Sequence, residues 1–134
     1  MDARTIDVIN ECSKGSDEGQ LSFPQVVGKL MDAGIERYSV DFVRNEKTFY
    51  QQDGEFFSLQ GKRSAGEPAQ EFSASDVQAA IRKSQTGSIA YLEFCRLAKE
   101  AGCTGYLVSL KGRRAVYSGR SGEDYAELFP GSMN

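Results

Sequence analysis

The stretch GQLSFPQVVGKLMDAGIERYSVDFVRNEKTFYQQDGEFFSL, from Gly19 to Leu59, lies without gaps over GSIAYLEFCRLAKEAGCTGYLVSLKGRRAVYSGRSGEDYAE, from Gly87 to Glu127, at a constant offset of 68 residues. Identical pairs are Gly19/Gly87, Ala33/Ala101, Gly34/Gly102, Tyr38/Tyr106, Val40/Val108, Gly54/Gly122 and Glu55/Glu123. Like replaces like at Leu21/Ile89, Phe23/Tyr91, Val26/Phe94, Phe42/Leu110 and Phe49/Tyr117. The chain therefore carries its own control. A position that keeps its character in both copies is framework, and a polar position found in one copy only is a candidate for use.

Working outward from this repeat, each half reads as helix, helix, strand, strand, with room for a third strand. The first helix spans roughly residues 5–14, with Ile6, Ile9 and Ser13 on one stripe and Val8 and Cys12 beside it. Its counterpart begins near Ser73, where Ser73-Ala74-Ser75-Asp76 has the form of a capping box, and Val77, Ala80, Ile81 and Ser84 follow at helical spacing. In the second helix, Ser22 can cap, Gln25 stands three residues on, and Pro24 is tolerated in a first turn because its missing N–H has no partner there. Phe23, Val26, Val27, Leu30 and Met31 then form an apolar stripe that Gly34 ends. Tyr91, Phe94, Cys95 and Ala98 repeat that stripe up to Gly102, but Ala90 stands where Ser22 caps, so this copy is expected to start less sharply.

Strands follow each glycine. Tyr38, Val40 and Phe42 alternate with Ser39, Asp41 and Val43, and Tyr106, Val108 and Leu110 alternate with Leu107, Ser109 and Lys111. Polar turns near Asn45-Glu46 and Gly112-Arg113 lead to strands carrying Phe49 and Tyr117. Asp53-Gly54 is a hairpin signal leading into Phe56-Phe57-Ser58-Leu59, whereas Tyr125-Ala126-Glu127-Leu128 suits either a strand or a short helix before Pro130. The expected fold is α+β: two pseudo-symmetric ααββ(β) halves, approximately 3–60 and 73–128, forming one antiparallel sheet with helices packed on one face. Residues 61–68 (GKRSAGEP) are the polar linker between them. A helix pair over two or three strands is too small to fold well alone, so 1–134 reads as a single domain.

Composition narrows the function classes. With 40% hydrophobic and 26% charged residues, the chain has the balance of an ordinary soluble globule. A net charge of -3 speaks against a dedicated nucleic-acid protein, whose domains run clearly basic. No apolar run approaches the roughly 18 residues of a membrane span, and residues 1–7 lack the apolar core of a signal peptide. Three cysteines without CxxC spacing fit a reducing cytoplasm, which is the expected location. The chain has no histidine, which removes Ser-His-Asp and Cys-His nucleophile activation and HExxH zinc sites. There is no GxGxxG, P-loop, EF-hand or nucleophile elbow either. No catalytic residue, metal ligand or cofactor is assigned.

Three groups of residues invite a functional reading. The cysteines read as small core residues where Cys95 aligns with Val27 and Cys103 with Ile35, while Cys12, near a helix end, is placed for exposure. Lys111, Arg113, Arg114 and Arg120 fall in a stretch, 101–122, that has no acidic residue, and form a basic C-terminal hairpin suited to an anion or a nucleic acid. The sheet face away from the helices carries Ser39, Asp41, Val43, Thr48, Tyr50, Leu107, Ser109, Val116 and Ser118, a mixture suited to a homodimer or a docked protein partner. Asp41 has Ser109 as its counterpart, so its charge belongs to one half only.

The run LSFPQVVGKLMDAGIERY, from Leu21 to Tyr38, followed by Asp41 and by Asp53-Gly54-Glu55, resembles a family of small uncharacterised bacterial proteins. They are of similar length, some are carried on prophages, and some bear the label "phage envelope protein". The resemblance covers essentially the whole chain and its motifs are structural. It implies a bacterial or prophage origin and an unknown activity, and it supplies no catalytic residue.

The leading expectation is a non-enzymatic cytoplasmic interaction module using the open sheet face. The alternatives are anion or nucleic-acid binding through the basic hairpin, and a small-molecule-binding protein or histidine-free enzyme with a site between the halves.

Overall fold

A computed structural model describes residues 1–130. The elements run α1 (Ala3–Asp17), α2 (Phe23–Asp32), β1 (Ile35–Asp41), β2 (Glu46–Gln51), β3 (Phe56–Gln60), α3 (Ala74–Gln85), α4 (Tyr91–Glu100), β4 (Cys103–Ser109), β5 (Arg114–Gly119) and β6 (Asp124–Leu128). The six strands form one antiparallel sheet in the order β3-β2-β1-β4-β5-β6, so the first strand of each half meets at its centre. There Tyr38 stands opposite Val108 and Val40 opposite Tyr106. The fold is α+β, with four helices on one face of the sheet.

Local chemistry explains the boundaries. Asp2 caps α1 by accepting the Thr5 N–H at 2.8 Å, which starts this helix before Thr5. Ser22 and Gln25 form a reciprocal capping box at α2, Ser73 accepts the Asp76 N–H at α3, and α4 begins at Ala90 with no side-chain cap. Each such cap is worth about 1 kcal/mol. Gly102 ends α4 with φ +97°, and a Cβ there would lie 2.3 Å from the Glu71 carbonyl oxygen, so glycine is required twice over. Tyr125-Ala126-Glu127-Leu128 extends as β6, because its backbone pairs with β5, Tyr125 opposite Tyr117.

Strand alternation sorts the side chains. Tyr38, Val40, Phe49, Tyr106, Val108, Ala115 and Tyr117 point beneath the helices and join Ile9, Leu30, Val77, Ile81, Phe94 and Ala98 in one core. The linker is strapped down from both sides. Asp17 accepts the Lys62 N–H, Lys99 donates its ammonium to the Ser64 carbonyl, and the Ala69 N–H bonds the Lys99 carbonyl.

Candidate functional site

The alternation that buries Phe49 also buries Lys47, two residues earlier on β2. Its ammonium reaches across to α1, where it donates to Ser13 Oγ at 3.0 Å and to Asp17 Oδ1 at 3.1 Å. Both charged side chains are only 9% exposed. The ammonium also stands 5.0 Å from the centre of the Tyr91 ring on α4. Ser13 and Asp17 take two of the three ammonium protons, and the Tyr91 ring adds a cation–π contact. Asp17 Oδ2 in turn accepts the Lys62 N–H at 2.8 Å.

Beside this ion pair, aromatic side chains cross the helix-facing side of the sheet from strand to strand. Phe49 on β2 stacks on Tyr38 on β1 at 5.1 Å between centroids, Tyr38 lies 6.5 Å from Tyr106 on β4, and Tyr106 lies 5.3 Å from Tyr117 on β5. Phe94 from α4 meets both Tyr106 and Tyr117 edge-on. Helices and sheet do not close over this floor. They leave a cavity of about 780 Å³, walled by Cys12 and Ser13 of α1, Phe23 and Val26 of α2, Ile81 of α3 and Tyr91 and Phe94 of α4. Residues of both halves line it. Exposed Gly19, Gln20 and Ser22, together with exposed Gly87, Ser88 and Ala90, also border it, so it opens to solvent between the two helix–helix turns. At one side Phe23 meets Phe129 edge-on at 5.3 Å.

The polar groups of the floor are phenols. Tyr106 and Tyr91 share a hydrogen bond at 2.7 Å between their hydroxyls. Among the described residues the hydroxyls of Tyr38 and Tyr117 have no hydrogen-bond partner, yet no polar side-chain atom is both fully shut off and unpartnered. These two hydroxyls therefore open into the cavity that both residues line. Burial pushes all four phenols well above their ordinary range, so they are protonated donors at neutral pH. Cys12, on the wall, is 1% exposed rather than open to solvent, because it shares the inward stripe of α1 with Ile9 and Ser13. Burial pushes its thiol up to about 11, that of Cys95 to about 11 and that of Cys103 to about 12, so none is a thiolate at pH 7. Among the described residues no three acidic or thiol groups converge as metal ligands. The chemistry this arrangement offers is enclosure and hydrogen-bond donation.

The residues singled out from the sequence fall elsewhere. Ser39, Tyr50 and Ser109 are half-buried and Asp41 and Leu107 exposed on the outer sheet face, where the Arg37 guanidinium covers the Tyr50 ring at 3.9 Å. Val43 lies in the β1–β2 turn and not in a strand, since Asp41 Oδ1 accepts the Val43 and Arg44 N–H groups and turns the chain. Ser109 Oγ does the same for Gly112 at 2.7 Å, so the Asp41/Ser109 difference is one of turn chemistry. The four basic residues do not gather in one patch. Lys111 and Arg113 are on the β4–β5 turn and Arg114 opens β5, while Arg120 lies beyond its other end and donates to the Pro68 carbonyl at 2.8 Å. Six residues of extended strand separate Arg114 from Arg120 by about 20 Å.

Lys47, Ser13 and Asp17 were accessible to the repeat comparison. Their counterparts are Ala115, Ile81 and Gln85, so the whole polar group belongs to one half. Among the tyrosines, Tyr38 and Tyr106 recur in both copies and carry no such signal, while Tyr117 and Tyr91 replace Phe49 and Phe23, a change that reads as one core aromatic for another.

Fold and cavity together define an α+β protein with a solvent-open cavity of about 780 Å³ between its helices and its sheet. The chain belongs to the family DUF1398, described as proteins of unknown function, whose model matches residues 13–127. The Leu21–Tyr38 run lies inside the matched segment. No curated protein matches the chain. No helix among the described residues is long and apolar enough to cross a membrane.

Proposed function

We propose that this protein binds a small molecule in the space between its helices and its sheet. One observation carries the reading: a cavity of about 780 Å³, apolar in most of its lining, onto which Tyr38 and Tyr117 open hydroxyls that have no partner among the described residues. Small-molecule sites typically occupy about 300–1,000 Å³ and combine apolar walls with a few converging polar groups. The test is a thermal-shift screen of a chemically broad small-molecule library against wild type and Ala115→Met, which fills the floor on β5, two residues along the strand from Tyr117. Ligands that stabilise wild type are expected to lose most of their effect on the filled variant. Ligands that stabilise both equally would refute the site.

A second reading is self-association through the outer sheet face, favoured by Leu107 and Phe56, which are 37% and 64% exposed there. On this reading sedimentation velocity finds a dimer in wild type and a monomer in Leu107→Glu. An unchanged sedimentation coefficient would remove it.

A further inference from the structure

We propose that the ligand of this cavity is an uncharged, planar aromatic molecule carrying hydrogen-bond acceptors such as ring carbonyls. The inference rests on the reading of the cavity as a binding site and names what that site selects.

Charge comes first. The cation on the wall is Lys47, which donates to Ser13 and Asp17 and stands 5.0 Å from the centre of the Tyr91 ring. Asp17 balances its charge at 3.1 Å. Glu127, which also borders the cavity, accepts the Tyr125 hydroxyl at 2.7 Å and adds negative charge. An anionic ligand would find no unbalanced positive charge among the described lining residues and a carboxylate nearby, so it would lose hydration without compensation. A cationic ligand would find Asp17 already paired with Lys47 and Glu127 already accepting from the Tyr125 hydroxyl, so it too would lose hydration without a free partner.

Hydrogen bonding comes second. Tyr38 and Tyr117 present protonated hydroxyls, and neither has a hydrogen-bond partner among the described residues. A buried donor left unpaired is costly, so a ligand that offers acceptors gains what an apolar molecule of the same shape cannot. Shape comes third. Phe49, Tyr38, Tyr106 and Tyr117 form a continuous aromatic floor with neighbouring centroids 5.1–6.5 Å apart. Flat π-systems stack on such surfaces with more than their area alone provides.

The repeat supplies a mild variant for the test. Tyr117 occupies the position that Phe49 holds in the first half, so the fold already accepts phenylalanine there. Nile red serves as the probe, being an uncharged planar fused-ring dye with a ring carbonyl whose emission rises out of water. The anionic sulfonate dye ANS is the comparator. Wild type should bind Nile red saturably at one site and more tightly than ANS. Tyr117→Phe should weaken Nile red several-fold, and Tyr38→Phe/Tyr117→Phe about ten-fold or more, with circular dichroism and melting temperature holding the fold constant. Equal affinity in wild type and both phenylalanine variants would overturn the proposal, as would tighter binding of ANS or no saturable binding of Nile red. The cavity itself is judged separately. If the library ligands still respond to Ala115→Met, the binding site stands and only the ligand class fails.

Discussion

Replacing Asp17 with alanine should destabilise this protein by about 3 kcal/mol, the low end of what breaking one side of a buried ion pair costs. The figure follows from position. Lys47 and Asp17 are each 9% exposed, and the ammonium has Ser13 Oγ as its remaining strong acceptor once the carboxylate is gone. The Lys62 N–H loses its acceptor too, but it is exposed and turns to water, adding well under about 1 kcal/mol. Lys47→Met removes the charge instead and leaves the long stem packed beneath α1. The double variant Asp17→Ala/Lys47→Met should therefore recover most of the loss, since an apolar pair of similar volume often equals a buried ion pair. Urea unfolding of the four proteins gives the cycle, with a coupling of about 2 kcal/mol expected. For a chain of this size, 3 kcal/mol corresponds to a fall in Tm of roughly 10 °C. If Asp17→Ala costs less than about 1 kcal/mol, or the double variant is simply additive, the pair behaves as a surface pair. The account of Lys47 as occupied framework, on which the neutral-ligand argument stands, would then fail.

Two further outcomes follow from burial and backbone geometry. Three thiols raised from 9.0 to about 11, 11 and 12, and four buried phenols raised above 10.0, keep their protons longer in the folded chain than in the unfolded one. Their stabilisation is complete below the unfolded values and is lost as pH rises through the folded ones. Lys99, whose ammonium burial pulls below 10.5, contributes the opposite sign and is outweighed. Urea midpoints should thus hold from neutrality to about pH 9 and fall steeply above it, and tyrosinate absorbance from Tyr38, Tyr91, Tyr106 and Tyr117 should appear together with unfolding. Ionisation of those four while far-ultraviolet dichroism stays native would contradict the burial. Gly102→Ala, which forces a positive φ on a side chain facing the Glu71 carbonyl, should lower stability by more than about 2 kcal/mol. A loss within 0.5 kcal/mol, the ordinary scatter of surface substitutions, would mean that the loop before α3 yields freely.

Much of this architecture is local physics written twice. Ser22, Gln25 and Pro24 announce α2 through groups within three residues of each other, and Ala90 announces the weaker start of α4 in the same way. Period-two alternation puts Tyr38, Phe49, Tyr106 and Tyr117 on one side of the sheet without reference to anything distant. Element order, the antiparallel sheet and its helix-covered face were thus readable from the chain. A site between the halves was one expectation, but the size and lining of the cavity were not readable, because they depend on how far the helices stand from the sheet, and a tyrosine that bounds a cavity has the same sequence neighbours as one that is packed. The burial of Cys12 and the separation of Arg120 from Lys111, Arg113 and Arg114 also waited on tertiary structure, the first on which stripe of α1 faces inward, the second on the length of β5. Lys47 shows the boundary most clearly. Its place on the inner face follows from alternation, but its partners Ser13 and Asp17 lie 34 and 30 residues away, and only the packing of α1 over β2 brings charge to charge.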